Sequence, residues 1–180
     1  MPLMKAGIRV AAMLIALLIV GCASRPPLVT VPSVDLQRYE GRWFEIAKYP
    51  NWFQRSCASD TTAQYTGLPD GTIQVLNRCK QADGKVREAK AIATVTPDSG
   101  NAKLQVRFGR SPIGGDYWII GLDEKNYSWA LIGHPWRQFL WILAREPRLD
   151  EATYERIVAL AESQGYSRER IERTLQTSQP

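Results

Sequence analysis

The feature that most constrains the fold is a series of eight short apolar-rich runs, each separated from the next by residues that favour tight turns. The connections are rich in Gly, Pro, Asp and Asn, as at 68–71, 97–100 and 123–126. Strands joined in sequence by such turns pair antiparallel, and closing the meander removes its exposed edges. The predicted strands are 41–49, 60–66, 72–79, 86–96, 103–108, 117–122, 128–132 and 139–145. The predicted fold class is therefore all-β, an eight-stranded antiparallel up-and-down barrel.

One helix is predicted after the last strand. Asp150 is a suitable N-cap, and Gly165 ends the helical pattern. The apolar residues that recur at helical spacing are Tyr154, Ile157, Val158 and Ala161. This stripe predicts packing against the outer wall of the barrel. Residues 167–180 leave two alternatives open, a short helix from Ser167 or a last strand at 171–175.

The N-terminus has the pattern of a secretion signal. Lys5 and Arg9 give it a positive start, and an apolar run over 10–20 follows. This run is shorter than the roughly 20 apolar residues that a membrane-spanning helix needs. It ends in residues 19–22 (Ile-Val-Gly-Cys), the lipobox arrangement in which a small residue directly precedes a cysteine.

The lipobox predicts a signal peptide over 1–21, cleavage before Cys22, and acylation of Cys22 at its thiol and its new amine. Two or more acyl chains anchor a protein stably, whereas one chain is marginal. The alternative is an ordinary signal followed by a buried cysteine, but Ile19 is not the small residue that such a site takes. An aspartate directly after the acylated cysteine retains lipoproteins in the inner membrane. Position 23 is alanine, so the outer membrane is the predicted location.

Residues 22–34 contain three prolines and no helical period. They are predicted to be the lipidated N-terminus and a tether to one domain over 35–180. The net charge of the full chain is +5, and its basic residues are scattered among acidic ones. This pattern does not indicate nucleic-acid binding.

Two cysteines remain in the predicted domain, Cys57 and Cys79, and they flank one predicted hairpin. Because two thiols of an exported chain usually pair, a disulfide is predicted. The alternative is a nucleophilic cysteine, which needs a base, and the only histidine is His134 in a Gly-His-Pro turn. The sequence shows no triad order, metal-ligand cluster or phosphate-binding glycine loop, so no catalytic residue, metal or cofactor is predicted and the protein is not expected to be an enzyme.

Three segments, in the right order and spacing, resemble the motifs of the lipocalin family. Residues 41–47 (GRWFEIA) are similar to the Gly-x-Trp signature, with Gly41 and Trp43 in its two fixed positions. Residues 121–127 lie at the turn of the second motif, and residues 139–147 resemble the third. With the lipobox in front, the chain resembles the bacterial outer-membrane lipoprotein branch of that family, which is related to apolipoprotein D.

The resemblance implies that Trp43 plugs the closed end of the barrel and that Arg145 stacks on it from outside. Alternation along the first strand predicts that the side chains two, four and six residues after Trp43 share its inward face. Across from them on the eighth strand, Trp141 and Leu143 are predicted to point inward. The residues predicted to line the cavity are Glu45, Ala47, Tyr49, Trp141 and Leu143. Trp52 and Phe53, in the loop after the first strand, are predicted at the open mouth, where they gate the cavity, touch the membrane or pack the loop.

The resemblance further implies that the ligand is a fatty acid or a lysophospholipid held in the barrel, and it leaves a homodimer open. Two other functions are compatible with the sequence. One is a structural envelope module with a filled barrel and no ligand. The other is a lipid-modifying enzyme, for which Glu45 and Asp60 are the candidate carboxylates.

Overall fold

The computed structural model describes residues 26–109 and 114–177, and its main element is a closed antiparallel barrel of eight strands with a short ninth strand attached. The strands are β1 (Gly41–Lys48), β2 (Ser59–Gly67), β3 (Ile73–Lys80), β4 (Val86–Val95), β5 (Lys103–Phe108), β6 (Gly115–Leu122), β7 (Trp129–Gly133) and β8 (Leu140–Ala144). Every predicted strand is present with ends that differ by two residues or fewer, so the predicted fold class is confirmed. The predicted signal peptide 1–21 and Cys22 lie outside the described residues.

Strand β1 closes the barrel because it pairs with β8 on one side and with β2 on the other. We call the end where β1 begins the closed end, and the end where β1 stops and β8 starts the open end. The register between β1 and β8 shifts between Glu45 and Ala47, so Ile46 is an extra residue in the ladder. Such a bulge reverses the alternation of side chains beyond it.

The bulge divides β1 between two groups of buried residues, one inside the barrel and one under the C-terminal helix. Trp43 belongs to the inner group, whereas Ala47 and Tyr49 belong to the outer one. The prediction that Ala47 and Tyr49 share the inward face of Trp43 is therefore wrong. Glu45, which precedes the bulge and pairs with the inward-facing Leu143, stays on the inner side.

Residues 26–34 pack along the barrel, although the sequence predicted a tether there. Val34 is buried, and its amide donates to the carbonyl of Gly100 at 2.8 Å. Gly100 has φ +59, and an added Cβ there would lie 2.0 Å from the carbonyl oxygen of Pro32. A one-turn helix, α1 (Leu36–Tyr39), then leads into β1 and was not predicted. The folded unit thus begins before residue 35.

Helix α2 (Glu151–Ser163) packs on the outside of the barrel. The predicted N-cap is confirmed, because Asp150 Oδ1 accepts from the amide of Thr153 at 2.9 Å. All members of the predicted apolar stripe are buried against outward-facing residues of β1, β7 and β8; they are Tyr154, Ile157, Val158 and Ala161. No helix in the described part of the chain is long and apolar enough to cross a bilayer.

The sequence left a short helix and a last strand open for the C-terminal residues, and the structure has a short form of each. A 3-10 turn (Arg168–Arg170) is followed by a two-residue strand, β9 (Glu172–Arg173), which pairs with the end of β1. We call residues 171–177 the C-terminal strap. Its Gln176 side chain donates to the carbonyls of Glu45 on β1 (2.8 Å) and Thr61 on β2 (3.0 Å). The strap therefore bridges the two strands where β2 no longer pairs with β1.

Asp60 holds the end of this strap. Its carboxylate accepts from the amide of Thr177 at 2.6 Å, and Lys80 Nζ lies 3.2 Å from it. Burial opposes the charge of Asp60, but the hydrogen bonds from Thr177, Lys80 and Ser59 outweigh it and lower the pKa of the carboxyl well below its ordinary value. We expect Asp60→Asn to lower the free energy of unfolding at pH 7 by about 1–2 kcal/mol, because a neutral amide oxygen accepts weaker hydrogen bonds than a carboxylate and the ion pair with Lys80 is lost.

The pH dependence of stability tests whether the charge of Asp60 causes this stabilisation. A carboxyl with a depressed folded pKa stabilises fully above its unfolded pKa of about 3.9, and this stabilisation is lost as the pH falls further. The difference between Asp60→Asn and the parent, measured by urea unfolding, should be constant from pH 7 to 5 and shrink towards pH 3. A difference that stayed constant down to pH 3 would contradict this account.

Candidate ligand-binding site

The closed end is sealed by Trp43 and Arg145. The guanidinium carbon of Arg145 lies 4.0 Å from the centroid of the indole ring, and the indole Nε1 donates to the carbonyl of Tyr39 at 2.8 Å. The guanidinium also donates to three backbone carbonyls, those of Arg38 (2.6 Å), Arg42 (3.0 Å) and Tyr127 (3.3 Å). These partners all belong to the folded chain, so the pair holds this end shut and does not face a ligand.

Gly41 is part of the same seal. Its φ of +94 is a conformation that favours glycine, and an added Cβ would approach Arg145 Nη1 to 3.1 Å. The glycine of the Gly-x-Trp motif thus allows the chain to turn into β1 beneath the guanidinium.

Three tyrosines meet inside the barrel above this seal. The hydroxyl of Tyr117 lies 2.7 Å from that of Tyr39 and 2.9 Å from that of Tyr65. Burial raises the pKa of Tyr65 to about 12 and raises those of Tyr39 and Tyr117 well above the ordinary value, so all three are neutral at physiological pH. Two contacts between three hydroxyls use two protons, and the third proton finds no acceptor within this tyrosine cluster.

A small cavity adjoins the tyrosine cluster. Its volume of about 10 Å³ is near the minimum that admits one water molecule. Apolar side chains from four strands surround it, among them Ile73, Ala93, Leu104 and Ile119. An acyl chain therefore enters this cavity only if the surrounding side chains move.

Aromatic side chains cover the interior at the open end. Phe53, in a 3-10 turn after β1 (Trp52–Gln54), has its ring centroid 5.5 Å from that of Phe139 and 6.3 Å from that of Trp141. Trp141 packs against the inner group, and its Nε1 donates to Gln54 Oε1 at 3.0 Å. We call Phe53, Phe139 and Trp141 the aromatic lid. Phe53 comes from the loop after β1, Phe139 from the end of the connection between β7 and β8, and Trp141 from β8. A movement of the loop after β1 would uncover the interior at this end.

Glu45 lies beside the aromatic lid and is only 2% exposed. Its carboxylate accepts hydrogen bonds from Lys48 (3.1 Å), Gln54 (2.7 Å) and Thr174 (2.6 Å). These contacts link β1 to the lid loop and to the C-terminal strap. They satisfy the charge and give Glu45 the role of a structural link in the described conformation.

The predicted disulfide between Cys57 and Cys79 is present, with the two Cα atoms 5.5 Å apart. It ties the loop that carries Phe53 to β3, so the lid loop is fixed at one point. His134 lies at the edge of the aromatic lid, with its ring centroid 5.4 Å from that of Phe139 and its Nε2 3.9 Å from Asp116 Oδ2, and burial lowers the pKa of its imidazole. Within residues 26–109 and 114–177, no group of three or more His, Cys, Asp or Glu side chains is arranged to hold a metal ion.

The structure brings three of the five predicted cavity residues together at the inner side: Trp141, Leu143 and Glu45. The tyrosine cluster was missed. Strand alternation could have predicted two of its members. Tyr65 on β2 is two residues from the inward-facing Ala63, and Tyr117 on β6 is two residues from the inward-facing Ile119. Tyr39 could not be found in this way, since it lies in the unpredicted helix α1.

A closed eight-stranded barrel with a Gly-x-Trp first strand, an arginine over that tryptophan and a helix on the outer wall is the architecture of a lipocalin. The sequence model of the family described as lipocalin-like domain matches residues 34–176. The chain therefore belongs to the lipocalin family, whose members generally bind small hydrophobic ligands.

Two relatives and one solved structure illustrate the similarity. The chain is 40% identical over 157 residues to temperature-induced lipocalin-1 of Arabidopsis thaliana, covering 83% of each chain. It is 34% identical over 161 residues to outer membrane lipoprotein Blc of Escherichia coli K12, covering 87% of this chain and 89% of that one. Insecticyanin from the tobacco hornworm Manduca sexta shares the fold, with a TM-score of 0.66 and 21% identity over 84% of this chain and 85% of that one.

Proposed function

We propose that this lipocalin binds one single-chain amphiphile, a long fatty acid or a lysophospholipid, inside the barrel and beneath the aromatic lid. The observation that carries the proposal is the contrast between the two ends. The closed end is sealed by Arg145 and its backbone partners, whereas the open end is covered by a loop and three aromatic rings. A ligand would enter from the open end, with its acyl chain among the apolar side chains of the inner group.

The energetics are compatible with this ligand class. Burying each methylene contributes about 0.8 kcal/mol, so a chain of about 16 carbons gains on the order of 12 kcal/mol. Association and ordering oppose binding by about 4–15 kcal/mol, to which the displacement of lid side chains is added. The balance is in the range of micromolar binding, about −8 kcal/mol, or weaker.

The test is a fluorescence titration of a form that starts after Cys22, with a lysophospholipid or a long fatty acid as the probe. We expect a saturable change in tryptophan emission near one equivalent, because the ligand displaces the lid around Trp141. Trp141→Phe should lose most of the amplitude while affinity falls by about 1–2 kcal/mol, since one wall of the site is truncated. Trp129→Phe, which changes a half-buried indole at the closed end, is the matched control and should keep the signal.

A second candidate function is a structural envelope module with a filled barrel, and the cavity of about 10 Å³ favours it. The same titration separates the two functions. A folded, lipid-free protein that gives no saturable change with either probe would contradict the binding proposal and support the filled barrel.

The proposed setting is the bacterial outer membrane, with Cys22 as the acylated N-terminus. The lipobox at residues 19–22 supports it, as does the name of the Escherichia coli relative. We expect Cys22→Ser to abolish acylation, because the thiol that forms the thioether is gone, and to leave the signal uncut or the protein unanchored. Mass spectrometry of the purified N-terminus is the measurement. Acyl chains on the Cys22→Ser variant would refute the assignment.

A further inference from the structure

Exposed aromatic side chains are gathered at the open end of the barrel. Trp52 is 72% exposed in the lid loop, Trp136 is 76% exposed between β7 and β8, and Phe108 is 44% exposed at the end of β5. By contrast, Trp43 at the closed end is fully buried and Trp129 is half-buried. Single exposed apolar residues are ordinary, but exposed indoles on neighbouring loops of one end are typical of surfaces that meet a membrane interface.

The first described residue of the chain, Pro26, lies at this same end. The carbonyl of Pro26 accepts from Arg137 Nη2 at 2.5 Å, and Arg137 directly follows the exposed Trp136. The segment is held three residues further on as well, because Val29 and the side chain of Gln164 exchange two hydrogen bonds of 3.1 and 2.9 Å. The position of Pro26 beside the connection between β7 and β8 is thus fixed from two sides.

The covalent reach of the chain then limits where Cys22 can lie. Cys22 is four residues before Pro26, and four residues span at most about 14 Å. The eight residues of β1 extend about 26 Å from the closed end to the open end. An anchor at Cys22 therefore cannot reach the closed end, and acyl chains attached there would draw the open end towards the bilayer.

We propose that the open end of the barrel docks on a phospholipid bilayer, with Trp52 and Trp136 in the headgroup region and the aromatic lid facing the membrane. The inference rests on the proposed Cys22 anchor for its orientation and deepens the proposed function, because a lipid would pass between bilayer and barrel without crossing water. Exposed Arg55, in the lid loop, and Arg107, beside Phe108, add positive charge to this end, which suits anionic headgroups.

The test attaches the protein to vesicles through Cys22 itself. Cys57 and Cys79 are joined, so Cys22 is the one free thiol among the three cysteines of the chain and couples selectively to a maleimide-bearing lipid. Chains starting at Cys22 are coupled to vesicles of phosphatidylethanolamine and phosphatidylglycerol that contain phospholipid brominated in its acyl chains. Bromine quenches indoles that reach the membrane, and the quenching of tryptophan emission is measured against unbrominated vesicles.

We expect clear quenching in the parent, loss of most of it in the double variant Trp52→Phe/Trp136→Phe, and no loss in the closed-end control Trp129→Phe. Circular dichroism confirms that each variant is folded. Absence of quenching in the parent, unchanged quenching in the double variant, or a loss in Trp129→Phe would each overturn the docking surface.

Two further arms keep this inference separate from the proposed function. A loss of quenching confined to Trp141→Phe would report lipid inside the barrel, which overturns the docking surface but supports ligand binding. Acylation in cells is measured independently on the purified N-terminus. Its failure would remove the anchor without altering the vesicle result, because the maleimide supplies the bond.

Discussion

Replacing Arg145 by alanine should lower the free energy of unfolding by about 2–4 kcal/mol while leaving ligand affinity nearly unchanged. The variant loses a guanidinium–indole contact, which contributes about 0.5–2 kcal/mol, and three hydrogen bonds from a charged group to backbone carbonyls that hold the closed end. It also uncovers the buried ring of Trp43. Urea unfolding followed by circular dichroism gives the change in stability, and the fluorescence titration gives the affinity.

Two controls sharpen this result. Arg148→Ala removes an exposed arginine at the same end and should alter stability by no more than about 0.5 kcal/mol. Arg145→Lys keeps the charge but cannot reproduce the planar, forked donor pattern, so it should recover only part of the loss. A variant Arg145→Ala with unchanged stability and abolished lipid binding would instead make Arg145 a ligand contact.

The barrel was predictable from local signals because its connections are short and chemically distinct. Segments such as 68–71 and 97–100 mark turns through Pro, Asp and Gly, and the strands between them have only one simple way to pair. The helix was predictable for the same reason, since the Asp150 cap and the apolar stripe are local features. The turns of the barrel and the helix both depend on residues that are close in sequence, and such local patterns can be recognised in one sequence.

The misplacement of Ala47 and Tyr49 has a specific physical cause. Alternation is a rule of regular strands, and one inserted residue, Ile46, breaks it without leaving a mark in the sequence. The bulge becomes evident only from the partner strand. Glu45 pairs with Leu143 and Ala47 pairs with the adjacent Ile142, so Ile46 has no partner in the ladder.

The two terminal segments show a similar limit. Residues 26–34 have no periodic pattern, and their place on the barrel is decided by distant partners such as Gly100 and Gln164. The C-terminal strap likewise becomes ordered through contacts with Glu45 and Asp60, more than a hundred residues away. Long-range hydrogen bonds of this kind cannot be inferred from composition, which for a proline-rich stretch predicts only a tether.

Within the site, sequence motifs predicted the seal better than the interior. Trp43 and Arg145 belong to motifs, and they meet as the resemblance implies. The tyrosine cluster combines α1, β2 and β6, which no motif connects. Its members stand at ordinary core positions, and only the barrel geometry shows that their hydroxyls converge.

Replacing Tyr117 by phenylalanine is therefore the sharpest test of the interior. Tyr117 is the shared partner of Tyr39 and Tyr65, so its loss leaves two buried hydroxyls without the contact that now satisfies them. A buried polar group that loses its partner costs about 1–3 kcal/mol, and we expect Tyr117→Phe to lower the free energy of unfolding by about 2–4 kcal/mol. Urea unfolding at pH 7, where all three tyrosines are neutral, is the measurement.

The matched controls are Tyr39→Phe and Tyr65→Phe. Each removes an outer member of the cluster and leaves the other two hydroxyls paired, so each should cost about 0.5–1.5 kcal/mol, the net value of one hydrogen bond. The order of the three variants matters more than their absolute values, because all three remove the same oxygen atom from a similar apolar setting. If Tyr117→Phe were no more destabilising than Tyr65→Phe, the shared hydroxyl would not organise the cluster, and the interior would depend on ring packing alone.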